Sequence, residues 1–311
     1  DSACYHRDMR ADVPYFDAHC DTISVLFDQG GILRENQFHL DLARMSAYGP
    51  AAQFFAVWGG HYREKAALLK AELSKNADLA MFCKTPDCAG LAARQAKLAA
   101  FLSVEGAEQL DCSVPKLRAA HDEDGVIMIN LCWNHDNILC GSAMDGGGGL
   151  TEEGRGFVRA AQEIGVVIDL SHASEKTFWD VIGMTSRPVV ASHSNAAALF
   201  SVSPRNLTDA QFVALVKCGG GAGLNLCPGF LGENPGIEAC VAHIEHFLAL
   251  GGEKSVFIGA DLDGIDQTPR GVSGVQDMYK LFDALLRRNH SEGLIRDIFY
   301  YNLLGILERA V

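Results

Sequence analysis

Eight short apolar runs rich in β-branched residues, VPYFDAH, AAQFFAVW, AAFLSVE, GVIMINLCW, GVVIDLSH, PVVASH, GGAGLNLC and SVFIGADLD, constrain this chain more than any other feature. Between them lie stretches with helical spacing, at 62–82, 152–164, 174–183, 208–217, 237–250 and 275–288. Near-continuous hydrophobic strands alternating with helices are the pattern of a parallel sheet covered by helices. Eight such units predict an α/β fold of the (β/α)₈ TIM-barrel type. With 311 residues and 48% hydrophobic content the chain can bury one large core, so a single domain over residues 1–311 is expected.

Charge and composition remove several function classes. A formal charge of −13, with the basic residues scattered, offers no footprint for nucleic acid or an anionic membrane surface. No run of about 18 uncharged apolar residues occurs and the first residues lack an apolar signal core, so a soluble, cytoplasmic protein is expected. Ten cysteines in a chain of this length are too dilute for a disulfide scaffold, and most are expected as reduced thiols. Cys83 and Cys88 are the closest pair; packing rather than zinc binding is expected of them. Gly146 to Gly149 form a GGGG run without the GK[ST] ending of a phosphate cradle, which reads as a flexible loop.

The polar residues of chemical interest fall where the apolar runs finish, which in such a barrel is the rim where active sites are built. His19 and Asp21 end the first run; their spacing of two directs both side chains the same way, with Cys20 towards the helices. Glu105 ends the third, His172 the fifth, His193 the sixth and Asp261 the eighth. Any one of these residues has an ordinary structural reading. Six on five strand ends point to metal. Imidazole and carboxylate without thiolate suit zinc or a similar divalent ion, and a carboxylate between two pairs of ligands can bridge two ions, which makes Glu105 the natural bridge. No lysine stands at a strand end to take that place. A second His-x-Asp, His39-Leu40-Asp41, follows no strand and is assigned to structure or surface. Ser171, Ser192 and Ser194 lie beside histidines, but no G-x-S-x-G elbow is present, so they and Asp169 are read as groups that hold the ligand rings or fill the barrel. Asp263 reads as a turn residue.

The strings FDAHCDT, QFHLDLARMSAYGPAAQFFAVW, SVEGAEQL, DLSHAS, VVASHSNA, SPRNLTD and IGADLDGID together resemble the successive signatures of the renal (membrane) dipeptidase family of the amidohydrolase superfamily. The resemblance runs from about residue 14 to the C-terminal segment YYNLLGIL. It implies a zinc-dependent dipeptidase that acts through a metal-bridged hydroxide, with tolerance of a C-terminal D-residue and a homodimeric assembly. It also implies that His19 and Asp21 bind one zinc, that His172 and His193 bind the other, and that Glu105 bridges. Asp261 matches the acid/base aspartate, and Arg205 the arginine that holds the substrate carboxylate, a role suited to its bidentate fork. The family's carbonyl-polarising histidine falls, in INLCWNHDN, at Trp133 or two residues on at His135; both alignments stay open, and His135 is carried as a substrate-binding candidate. The competing functions are another amidohydrolase reaction, on a lactone, a phosphoester or another amide, and a catalytically idle metal-binding barrel.

Overall fold

A computed structural model describes residues 12–311. Nine strands run through it: β1 (Tyr15–Asp17), β2 (Ala51–Val57), β3 (Ala80–Phe82), β4 (Leu98–Val104), β5 (Val126–Asn130), β6 (Val167–Asp169), β7 (Val190–Ala191), β8 (Gly221–Leu224) and β9 (Val256–Ile258). All pairings are parallel, and because β1 pairs with both β2 and β9 while β2 pairs with β4, eight strands close into a barrel. Closure leaves every strand's C-terminal end on one rim.

The ninth strand corrects the expectation of one helix over 62–82. The helix ends at Lys75, and β3 pairs with the first part of β4, Ala80 opposite Leu98 and Phe82 opposite Ala100. β5 joins β4 only from Leu102 onward, so β3 takes up the backbone groups that β5 leaves unpaired. A second correction concerns Cys83 and Cys88, which form a disulfide. Cys83 follows β3 and Cys88 opens the next helix, Cys88–Arg94, and the intervening turn brings their Cα atoms to 5.5 Å, within bonding range. Oxidising compartments are where such a bond persists. Among the described residues no helix is long and apolar enough to cross a membrane.

Two apolar clusters hold the layers together. The larger lies between the strands and the helices. The smaller gathers Phe16, Phe54, Phe101, Met128, Val167, Val190 and Phe257 from seven different barrel strands, so it fills the barrel interior. Helix Glu152–Ile164 shows how the outer layer is built: Thr151 caps it by accepting from Gly154 N at 3.0 Å, two glutamates follow in the positive first turn, and Gly165 ends it in the left-handed region. It buries Phe157, Val158 and Ala161 against the barrel, each large apolar side chain contributing roughly 1.5–3 kcal/mol. Near the rim, a Cβ on Gly223 or Gly259 would lie 1.9 or 1.6 Å from the carbonyl oxygen of Ser192, so only glycine lets β8 and β9 close in beside His193.

Candidate metal centre

The site begins with a buried carboxylate beneath it. Asp17 accepts from the Tyr15 hydroxyl (2.8 Å) and from the backbone N–H groups of His19 (3.1 Å) and Ala260 (3.0 Å), which ties the end of β1 to the end of β9. Above this tie His19 and Asp21 converge, with Nε2 to Oδ2 at 3.2 Å. Glu105, directly after β4, brings Oε2 to 2.9 Å from His19 Nε2 and to 3.3 Å from both His172 Nε2 and His193 Nε2. His19 stacks on His193 with ring centroids 3.9 Å apart. Asp261 Oδ1 completes the group at 3.7 Å from His19 Nε2. Overlapping triads of ligand-type atoms result: His19, Asp21 and Glu105; Glu105, His172 and His193; His19, His193 and Asp261.

Hydrogen bonds decide which ring nitrogen of His172 and of His193 is free. The Nδ1 of His172 lies 2.8 Å from Asn134 Oδ1, an acceptor, so Nδ1 carries the proton and Nε2 the lone pair. The Ser192 hydroxyl donates to Asp169, and its oxygen lies 2.7 Å from His193 Nδ1, which sets the same tautomer on His193. The two Nε2 atoms stand 3.1 Å apart with lone pairs facing each other. Burial and the Arg205 charge push His172 down to about 4, and burial with His19 nearby pushes His193 down. Both rings are therefore neutral at pH 7. Burial alone would raise the Glu105 carboxyl, but His19, His172 and His193 around it hold it well below the usual range. Asp21 Oδ1 is buried without a hydrogen-bond partner. Facing lone pairs, an ionised central carboxylate and an orphaned carboxylate oxygen fit a site built for cations.

A cavity of about 450 Å³ opens over this cluster. Asp261 and Arg205 line it, with Trp58, Trp133, Asn134 and Phe230. Burial pushes the Asp261 carboxyl up to about 8, helped by the neighbouring Asp21 and Glu105 against His19 and Arg205. Asn225 donates to Asp261 Oδ2 at 3.1 Å and orients it. Arg205 is buried, donates to the His193 carbonyl (3.2 Å) and Ser194 Oγ (3.3 Å), and lies over the Phe230 ring at 5.2 Å. Its Nε has no partner. His172 and Asp261 both adopt left-handed backbone, φ 72° and 61°, a conformation that costs non-glycine residues and recurs at functional sites.

The structure brings His19, Asp21, Glu105, His172, His193, Asp261 and Arg205 together, and it does not bring His135 with them. The His135 side chain is 77% exposed and points towards Asp145, so the expectation that it joins the site is corrected: Trp133 and Asn134, not His135, line the cavity. The loop after β5 folds on itself: Asp136 accepts from Ser142 N and Gly146 N, and Asn137 Oδ1 accepts from Leu139 N and Cys140 N, which turns His135 outwards. His39 and Asp41 are structural as expected: Asp41 caps a short helix through Arg44 N, and His39 binds the Asp263 backbone. Asp263 accepts from Thr22 Oγ1 (2.6 Å) and His39 N (2.8 Å), latching the β9 rim to the β1 rim. Asn225, Asn134 and Asp17 join the site beside the expected residues. Asn225 ends the GGAGLNLC run and was detectable by the same strand-end rule as the ligands; Asn134 lies in a loop and carried no such signal.

The family model described as membrane dipeptidase (Peptidase family M19) matches residues 5–311. An uncharacterized dipeptidase of Schizosaccharomyces pombe is 31% identical over 216 residues, 67% of this chain and 52% of that protein, so the chain spans about half the length of that relative. A Klebsiella pneumoniae protein encoded in the 5′ region of pqqA is 30% identical over 262 residues, 79% of this chain and 95% of that protein. Among solved structures, a metallo peptidase from Rhodobacter sphaeroides, liganded with a phosphinate mimic of the dipeptide L-Ala-D-Ala, superposes with a TM-score of 0.85 at 26% identity, covering 96% of this chain and 100% of the other. A dipeptidase of family M19 superposes with a TM-score of 0.85 at 28% identity, over 96% and 98% of the two chains.

Proposed function

The chain belongs to the membrane dipeptidase (Peptidase M19) family, and from that premise we propose that it is a metal-dependent dipeptidase, loaded with two zinc ions, that hydrolyses the amide bond of small dipeptides. The observation that carries the reading is the burial of five ligand-type side chains, His19, Asp21, Glu105, His172 and His193, under a cavity walled by one carboxyl and one guanidinium, Asp261 and Arg205. His19 and Asp21 would hold one ion, His172 and His193 the other, with Glu105 shared. All-nitrogen and oxygen donors of this kind suit zinc. When bound, the ions supply Lewis acidity and lower the pKa of water towards about 7.

The chain's own residues do the rest. Arg205, held by its bonds to the His193 carbonyl and Ser194 and lining the cavity, would fix the free C-terminus of the substrate. That requirement favours dipeptides over longer chains. Asp261, oriented by Asn225, is placed to accept a proton from the attacking water and return it to the leaving amine. The phosphinate mimic of L-Ala-D-Ala bound by the Rhodobacter sphaeroides relative supports small dipeptides, including those with a C-terminal D-residue, as the substrate class.

The test is metal analysis together with hydrolysis of L,L and L,D dipeptides by the zinc-loaded protein, with a chelated control. About two ions per chain and metal-dependent release of amino acids are expected. A fully loaded protein that cleaves no dipeptide sinks the reading and turns the search to lactones, phosphoesters and other amides, with Trp133 as the first residue to question.

A further inference from the structure

Trp58 and Trp133 form an aromatic wall that the chemistry above does not use. Trp58 directly follows β2 and Trp133 lies in the loop after β5; the two rings meet at 4.9 Å between centroids and 57° between planes, and both line the cavity. Each is half-buried on a pinned backbone. The Trp133 N–H donates to Glu108 Oε1 (3.2 Å) and its carbonyl accepts from Ser142 Oγ (2.8 Å). The Trp58 carbonyl accepts from Ser24 Oγ (3.1 Å) and from the Lys65 ammonium. Lys65 is 1% exposed, and a lysine is almost never buried so deeply unless its ammonium has a fixed partner. A buried charge is thus committed to holding the Trp58 backbone in place.

Ring order says which part of a dipeptide meets this wall. The barrel strands run β1, β2, β4, β5, β6, β7, β8, β9 around the ring, so β2 is four places from β7 in either direction. Arg205 belongs to the segment after β7 and Trp58 stands after β2, across the mouth. Trp133 bridges the two regions, its ring 6.3 Å from that of His172. A dipeptide whose carboxylate meets Arg205 and whose carbonyl lies over Glu105 must direct its N-terminal residue towards Trp58 and Trp133.

We propose that Trp58 and Trp133 form the subsite for the N-terminal side chain and select dipeptides with an aromatic residue at that position. The inference rests on the dipeptidase reading for the orientation of the substrate. Rigid aromatic surfaces bind aromatic side chains through area and ring geometry at little entropic cost.

The experiment compares L-Phe-L-Ala, L-Ala-L-Phe and L-Ala-L-Ala as substrates of the zinc-loaded protein, and titrates the phosphinate analogues of Phe-Ala and Ala-Ala into it with tryptophan fluorescence as the binding signal. The kcat/KM for Phe-Ala is expected to exceed that for Ala-Ala by roughly tenfold or more, a ratio that collapses to below about threefold in Trp133→Ala and in Trp58→Leu but survives in Trp133→Phe. Preference for Ala-Phe, or a ratio that persists in both disrupted variants, overturns the proposal. Should no dipeptide be cleaved, the dipeptidase reading falls by itself; the subsite then stands if the Phe-Ala analogue binds more tightly than the Ala-Ala analogue and the variants erase the difference, and falls if the two bind alike.

Discussion

The ends of β6 and β7 and the loop after β5 occupy neighbouring parts of one rim, yet they are built on opposite rules. At the ends of β6 and β7 polar groups tie the two strands together: Asp169 accepts from Ser192 N (2.9 Å) as well as from Ser171 N (3.0 Å) just beyond its own strand, and Ser171 Oγ accepts from His193 N (3.0 Å). The backbone at the ligand histidines is therefore held by the strand ends, and the His193 ring by Ser192 and Asp169. In the loop after β5 Asp136 and Asn137 accept from backbone N–H groups of the same loop, and Asn134 reaches out of it to the His172 ring. A side chain within two or three residues of a barrel strand inherits the strand's rigidity, whereas one beyond it is placed by the loop's own hydrogen bonds.

Substitutions graded by distance from the barrel test that contrast. The largest effect is expected at Glu105, which stands next to β4 and touches three histidines: Glu105→Ala should empty the site and lower kcat/KM by at least about 10⁴-fold, read by metal analysis and dipeptide hydrolysis. Retention of both ions would show that the central carboxylate is dispensable and that the rim is less dependent on it than its geometry implies. Asp261→Asn should keep the metals and lose about 10³-fold in kcat, as removal of an acid/base group does. A metal-free variant would instead make Asp261 a ligand. Removing one link of the relay behind His193, in Ser192→Ala, should weaken metal affinity by about 10–100-fold without altering the far-ultraviolet circular dichroism, a measurable mark of support from the strand. The smallest effect belongs to the loop: His135→Ala should change kcat/KM by less than about twofold, since that side chain is in solvent. A large loss there would mean that the loop closes over the substrate and that the contrast between the two regions holds only for the free protein.

Much of this molecule was already determined by the order of its residues. Near-continuous apolar runs separated by helices leave a closed parallel barrel as the arrangement that buries them all, and closure sends His19, Asp21, Glu105, His172, His193 and Asp261 to one rim although they span more than two hundred positions of the chain. What lay outside that rule was set by tertiary contacts alone. β3 exists because β4 has free backbone groups where β5 has not yet begun, a matter of register that the short AMF segment does not reveal. The Cys83–Cys88 bond depends on a turn that follows from β3. Trp133 rather than His135 faces the cavity because several short polar side chains in one loop satisfy each other in a single arrangement, and neighbouring arrangements differ by only a hydrogen bond or two. The partners that orient the ligands, Asn134 for His172 and Asn225 for Asp261, sit 38 and 36 residues away, where only the folded barrel brings them within reach. Periodicity is a property of the chain and can be read along it; the direction of a loop side chain is a property of the packed whole.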